Sequence, residues 1–197
     1  MFCGVTGRLN SGVSCHGSAQ VIWSHLQRSV ALGIGIGLVV TLASLTFVGL
    51  MQPLGPMAGS LGSRLEILAL CALAPSFALA FSIARLARHR FRTPQDLNGS
   101  GLTSGTEQAR LLQALLQNTL EQLALALPVY AAWALLAPPH LIAALPVSAL
   151  LFLIGRGLFF RGYARGAPGR ALGFALTFYP TISLLVGAIA LGVWAGS

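Results

Sequence analysis

Residues 141–195 read LIAALPVSALLFLIGRGLFFRGYARGAPGRALGFALTFYPTISLLVGAIALGVWA. Two apolar runs, about 141–161 and 171–195, flank a short turn, and the charges in the stretch are all arginines: Arg156, Arg161, Arg165 and Arg170. Neither run has the polar face that a helix on a water-soluble globule turns to solvent. Both suit a bilayer, because an α-helix satisfies its own backbone hydrogen bonds where no water is available. The stretch predicts two membrane-crossing helices whose connecting arginines lie at one membrane face.

Moving outward, the pattern repeats. A run over about 107–136 is amphipathic in its first half and apolar in its second, and Pro138-Pro139 closes it. A run over about 65–87 begins Leu65-Glu66 and ends in a basic cluster, Arg85, Arg88, His89, Arg90 and Arg92; Thr93-Pro94 stops it and a polar Gly/Ser/Asn loop follows to about Ser104. The run over about 29–52 carries no charge. It exceeds the roughly 7–15 apolar residues of a signal peptide and is read as an uncleaved anchor. A link from Gln52 to Ser63, with Pro53, Gly55 and Pro56, breaks that helix. Residues 1–28 are read as a tail, with Trp23 at headgroup level. The fold class is therefore all-α, an integral membrane bundle of about five helices. It comprises a tail (1–28), a first transmembrane helix with its link (29–63) and a membrane domain (64–197).

Composition agrees. Of 197 residues, 55% are hydrophobic and 8% charged, and the mean hydropathy is +0.79, whereas soluble domains carry roughly 25% charged residues. The net charge of +8 would suit nucleic acid, but all twelve basic residues are arginines, mostly at the ends of apolar runs. That is the placement of cytoplasmic anchors beside anionic headgroups, and no basic face alternates with aromatics. The segments 85–110 and 161–170 hold nine of the twelve, counting Arg156 at their edge. Five crossings then place the N-terminus, with Arg8 and Arg28, in the cytoplasm and the C-terminus opposite; a bacterial inner membrane fits the arginine-only composition. Cys3, Cys15 and Cys71 are too scattered for a disulfide framework or zinc site, and Cys71 reads as a small core residue.

Chemistry concentrates on the third helix, where Gln113, Gln117, Asn118, Glu121 and Gln122 are predicted to share a face. A carboxylate at that depth wants a cation, and Arg156 in the fourth helix is the candidate. The two would form a structural pair or bracket a polar ligand. Arg88, Arg156, Arg165 and Arg170 should gather near one membrane face, where guanidinium groups suit carboxylates and phosphates; Arg90, Arg92 and Arg161 read as headgroup contacts. No hydrolase triad, P-loop or metal cluster is legible, and His16, His25, His89 and His140 are dispersed, His140 as an exposed turn residue.

Arg156-Gly-Leu-Phe-Phe-Arg-Gly-Tyr163-Ala-Arg165-Gly-Ala-Pro-Gly-Arg170 resembles the signature of the MAPEG family, the membrane-associated proteins in eicosanoid and glutathione metabolism, most specifically at Gly162-Tyr163-Ala164-Arg165. Asn118-Thr-Leu-Glu121 resembles the family's Asn-x-x-Glu on its second helix. Ala87-Arg88-His-Arg-Phe91-Arg92 resembles the basic end of its first. The resemblance spans about 64–196, and the first apolar run lies outside it.

It implies a bacterial-type member: a four-helix bundle plus one extra N-terminal helix, assembled as a homotrimer in membrane lipid, with glutathione between subunits at the cytoplasmic side. By position, Arg88, Asn118, Glu121, Arg156, Tyr163 and Arg165 would bind glutathione, and Arg170 would be catalytic, stabilising the thiolate that attacks a lipophilic small molecule. No metal is implied. The implied activity is that of a glutathione-dependent transferase or peroxidase. The chain departs from the family at Ala114, where an arginine is usual, and at Gln122 and Phe159, where tyrosines are frequent. Those departures support an alternative, a non-catalytic bundle with a lapsed glutathione site that serves lipid or protein interaction.

Overall fold

The computed structural model describes residues 15–51, 59–99, 102 and 104–195, with side chains described from residue 25 to 194. The expectation for Trp23 at the headgroup level rests on a side chain outside those described, and the turn at Pro53, Gly55 and Pro56 falls outside the described residues. The chain folds as five helices among those described: α1 (Cys15–Met51), α2 (Leu61–Arg92), α3 (Glu107–Leu136), α4 (Ala144–Gly162) and α5 (Gly166–Ala195). Four stretches are long and apolar enough to cross a membrane, His25–Met51, Leu61–Arg92, Glu107–Leu136 and Pro139–Trp194; the last, 56 residues, contains both α4 and α5. The protein is thus an all-α, multi-pass membrane bundle.

Helix ends follow the local chemistry. Ser60 caps α2, its hydroxyl accepting from the Ser63 amide at 3.1 Å. Thr93 and Pro94 stop α2, and Thr106 caps α3. Arg64 on α2 donates to the carbonyls of Ala134 (3.2 Å) and Ala137 (2.7 Å), closing the C-terminus of α3 where carbonyls lack helical partners. Arg64 is an arginine away from the basic loops, and this cap is its structural use. The tail reading gives way in part: α1 begins at Cys15, so residues 15–28 continue the helix instead of preceding it. Similarly α2 runs on through its basic cluster to Arg92, and α5 starts at Gly166.

Helices α2–α5 form a four-helix bundle, and α1 packs outside it, mainly along α5. Two apolar clusters fill the interior. One gathers Tyr130, Trp133, Ile142, Leu145, Phe152 and Leu184, with the buried Cys71; the other gathers Leu86, Leu112, Leu115 and Phe159. Small residues permit the closest approaches. A Cβ at Gly173 would meet the Gly155 carbonyl oxygen at 2.7 Å, and one at Gly155 would meet Thr177 Oγ1 at 2.5 Å, so α4 and α5 pack backbone to backbone. Gly33 and Gly37 of α1 lie in the same way against Ala171 and Ala175 of α5.

The link between α2 and α3 is tied by one carboxylate. Asp96 is buried; its Oδ1 accepts from the Thr106 amide (2.8 Å) and its Oδ2 from the Thr106 hydroxyl (2.6 Å), with His89 Nε2 at 3.0 Å. The hydrogen bond from the Thr106 side chain, outweighing desolvation, holds the Asp96 carboxyl below its ordinary value of 3.8. A carboxyl lowered on folding stabilises above its unfolded value and loses that contribution as pH falls through the folded one. Thermal stability should therefore hold, for this group, from neutral pH down to about pH 4 and decline below it. Asp96→Asn should be less stable at pH 7 and lack that decline; melting series from pH 7 to about pH 3 on both proteins test this.

Candidate functional site

Midway along the bundle a polar layer lies between the two apolar clusters, with a residue from each of α2–α5. Thr119 Oγ1 donates to the Leu115 carbonyl (2.7 Å), and Ser82 Oγ lies 3.5 Å from Thr119. Thr177 Oγ1 donates to the Gly173 carbonyl at 2.8 Å. Each hydroxyl spends its proton locally and keeps lone pairs for a donor. That donor is Arg156, 1% exposed. Its Nε reaches Thr177 Oγ1 at 3.3 Å, and its Nη1 reaches Asn118 Oδ1 at 2.9 Å and Thr119 Oγ1 at 3.4 Å. The guanidinium carbon lies 4.3 Å from the centroid of the Phe159 ring, a cation–π contact. Nη2 has no hydrogen-bond partner among the described residues.

Arg156 does not pair with Glu121, contrary to the expectation from sequence. Glu121 is exposed and accepts from Gln117 at 3.0 Å. The five polar residues of α3 do not share a face either: Gln113 accepts from Arg90 at 3.1 Å, Gln117 and Glu121 are exposed, Asn118 turns inward, and Gln122 is buried with Oε1 unpartnered. At 100° per residue, 117 to 118 and 121 to 122 each step around the helix, so the set wraps it. Arg156 consequently holds its charge among neutral oxygens and an aromatic face, with no carboxylate partner among the described residues. A charge in that setting is costly and is by default a functional feature.

In front of Arg156 lies a cavity of about 320 Å³ lined by Asn118, Phe159, Tyr163 and Arg170, with Val30 and Ile34 of α1 and Ala167, Ala171 and Phe174 of α5. Asn118 and Phe159 separate it from Arg156. Because a guanidinium only donates, Asn118 must turn its oxygen to Arg156, which leaves its amide N–H groups as donors. Arg170, half-buried, stacks on Tyr163 with its guanidinium carbon 4.7 Å from the ring centroid. The Phe159 and Tyr163 rings meet edge to face at 5.4 Å. The polar lining is thus an amide, a phenol and a guanidinium, with no acid among the lining residues: an arrangement for an anion.

Of the residues singled out from sequence, Asn118, Tyr163 and Arg170 meet at this cavity with Arg156 behind it. Arg88 is exposed and lines a different, basic cavity of about 250 Å³ with Arg85, His89, Arg92, Gln108 and Leu112. Arg165 is exposed in the 3₁₀ turn Tyr163–Arg165, and Glu121 faces outward. Sequence reasoning missed Thr119 and Thr177, which hold Arg156, and Val30 and Ile34. For the threonines a signal existed: Thr119 adjoins Asn118, and Gly173 four residues before Thr177 marks a close helix contact.

If Arg156 were kept for stability, its removal would destabilise strongly. Its neutral surroundings predict otherwise: Arg156→Met should melt within about 3 °C of the unaltered protein or above it. Asn118→Leu, which strips the guanidinium of its shortest bond, should cost about 1–3 kcal/mol. Melting of the two variants in one detergent decides the matter; the reverse order would make Arg156 a structural residue.

Residues 66–190 match the sequence profile of the MAPEG family. An uncharacterized protein of Synechocystis sp. is 36% identical over 92 residues, which is 47% of this chain and 65% of that relative's length. The match therefore spans a little under two thirds of the relative. No solved structure matches.

Proposed function

The chain belongs to the MAPEG family, and from that premise we propose that it binds glutathione at the Asn118–Tyr163–Arg170 cavity and joins it through its sulfur to, or uses it to reduce, lipophilic compounds drawn from the membrane. The observation that carries this reading is the concentration of cation and donors without a carboxylate: Arg170 in the cavity wall, Arg156 uncompensated behind it, and the Asn118 amide between them. Glutathione carries two carboxylates and a thiol, so it has anionic groups for such donors.

Arg170 has the catalytic role. A guanidinium beside the sulfur favours thiolate over thiol, and the thiolate is the nucleophile. In the transferase reaction the thiol proton leaves to water. The sulfur lone pair then forms a C–S bond as the electrophile's leaving group departs with its electron pair. Arg156 acts by holding Asn118 and by adding positive potential, while Tyr163 holds Arg170 from below. Arg88, Arg165 and Glu121 complete the proposed set of glutathione contacts.

The separation of Arg88 and Glu121 from the cavity supports assembly. A neighbouring copy presenting its α2 end at the cavity would bring Arg88 to it, so we take the functional unit to be a homotrimer. The arginine-rich ends of α2 and α4 are assigned to the cytoplasmic face of a bacterial inner membrane, with the N-terminus on that side and the C-terminus opposite.

The competing reading, a bundle that has lost its glutathione site, draws on Ala114, Gln122 and Phe159. Calorimetry separates the two. Purified protein should bind glutathione at millimolar concentration or below, and Arg170→Ala and Asn118→Ala should each weaken binding about tenfold or more. A folded protein that shows no heat of binding would place the chain with the non-catalytic alternative. Cross-linking in mild detergent should give trimers; monomers alone would remove the intersubunit role of Arg88.

A further inference from the structure

The cavity lining is of two chemistries. Asn118, Tyr163 and Arg170 supply its polar part; Val30, Ile34, Phe159, Ala167, Ala171 and Phe174 supply its apolar part. Two of those apolar residues come from α1, which lies outside the region matched by the family profile, since that region begins at residue 66. We propose that Val30 and Ile34 of α1 form a selectivity wall that receives the lipophilic substituent joined to, or attacked by, the anion held at Arg170 and Asn118. This inference rests on the glutathione reading of the polar lining and assigns the part of the site that the family pattern does not supply.

The position of α1 is fixed independently of any ligand. Gly33 and Gly37 lie one helical turn apart and face Ala171 and Ala175, also one turn apart; a Cβ at Gly33 would come within 3.1 Å of the Ala171 methyl and 3.2 Å of the Leu172 amide nitrogen. Thr41 continues the stripe another turn on, fully buried, its hydroxyl bonded to the Gly37 carbonyl at 2.8 Å. With that seam closed, Val30 and Ile34, four residues apart and both half-buried, are carried beside the seam onto the cavity. Leu32, Ile36 and Val39 remain exposed on α1, where lipid solvates them. Two branched side chains at one helical spacing, held by a rigid seam, set how wide an apolar group the cavity accepts.

The test uses glutathione, S-hexylglutathione and S-decylglutathione, titrated by calorimetry into the full chain in detergent. The unaltered protein should prefer S-hexylglutathione, because its alkyl chain reaches the apolar part. Ile34→Trp fills that part and should weaken S-hexylglutathione about fivefold or more while glutathione stays within about twofold. Val30→Ala with Ile34→Ala widens it and should move the preference toward S-decylglutathione. If glutathione binds but the ratio between probes is the same in the unaltered chain and both variants, α1 is not the wall and the inference fails while the anion site stands. If no probe binds folded protein, the glutathione reading fails and this inference fails with it.

Discussion

A guanidinium buried in a membrane bundle without a carboxylate is the constraint around which this structure is arranged. Arg156 cannot shed its charge at physiological pH and cannot leave a donor in hydrocarbon without cost. Its oxygens must come from neighbouring helices, and they do: Asn118 and Thr119 from α3 and Thr177 from α5. Ser82 links α2 to the same layer through Thr119. A membrane bundle lacks the hydrophobic drive that presses helices together in water. Close packing therefore carries much of the association, and Arg156 depends on that packing to bring its oxygens within reach.

Close packing comes from glycines placed where oxygens are needed. Gly155 precedes Arg156 and abuts Gly173 and Thr177; with a Cβ at either glycine, α4 and α5 would separate and Thr177 would withdraw from Arg156. Gly162 and Gly169 repeat the contact at the end of the hairpin, where a Cβ at Gly169 would meet the Gly162 carbonyl oxygen at 2.6 Å. Gly166, with φ +79°, turns the chain between the helices. The same glycines that seat Arg156 thereby deliver Tyr163 and Arg170 to one cavity, so the polar layer and the site share a single geometric cause.

The fold was legible because the signals are long. Long apolar runs, the Pro138-Pro139 pair and the arginine clusters located α2–α5 to within a few residues; Arg156 and Asn118 stood out as polar residues in apolar company, Arg170 as part of an arginine cluster, and Tyr163 through the family resemblance alone. What escaped was of two kinds. Charge arithmetic suggested Glu121 as the partner of Arg156, yet that carboxylate, three residues beyond Asn118, faces outward from α3 and accepts from Gln117 instead; helical angle outweighed charge. Threonines read as ordinary helix residues because a hydroxyl bonded to its own helix keeps its second function hidden until the neighbouring helix is in place. The same holds for Val30 and Ile34, which look like lipid-facing residues until the Gly33–Gly37 seam fixes their direction.

The three departures from the family pattern are not equivalent once they are placed. Ala114 lines a separate cavity with Arg90, Arg110 and Gln113, so the arginine absent there subtracts nothing from the polar part supplied by Asn118 and Arg170. Gln122 is buried on the far side of the step from Glu121, with its own carbonyl oxygen unpartnered. Only Phe159 touches the cavity, and there the exchange has two sides. A phenol at that position would offer the ligand a hydroxyl, while the face that Arg156 uses is common to both rings. With no carboxylate to neutralise it, Arg156 gains from an aromatic face in the interior, and its positive potential stays directed at whatever fills the cavity. The exchange therefore removes one donor from the surface of the site and leaves the hold on the charge behind it unchanged.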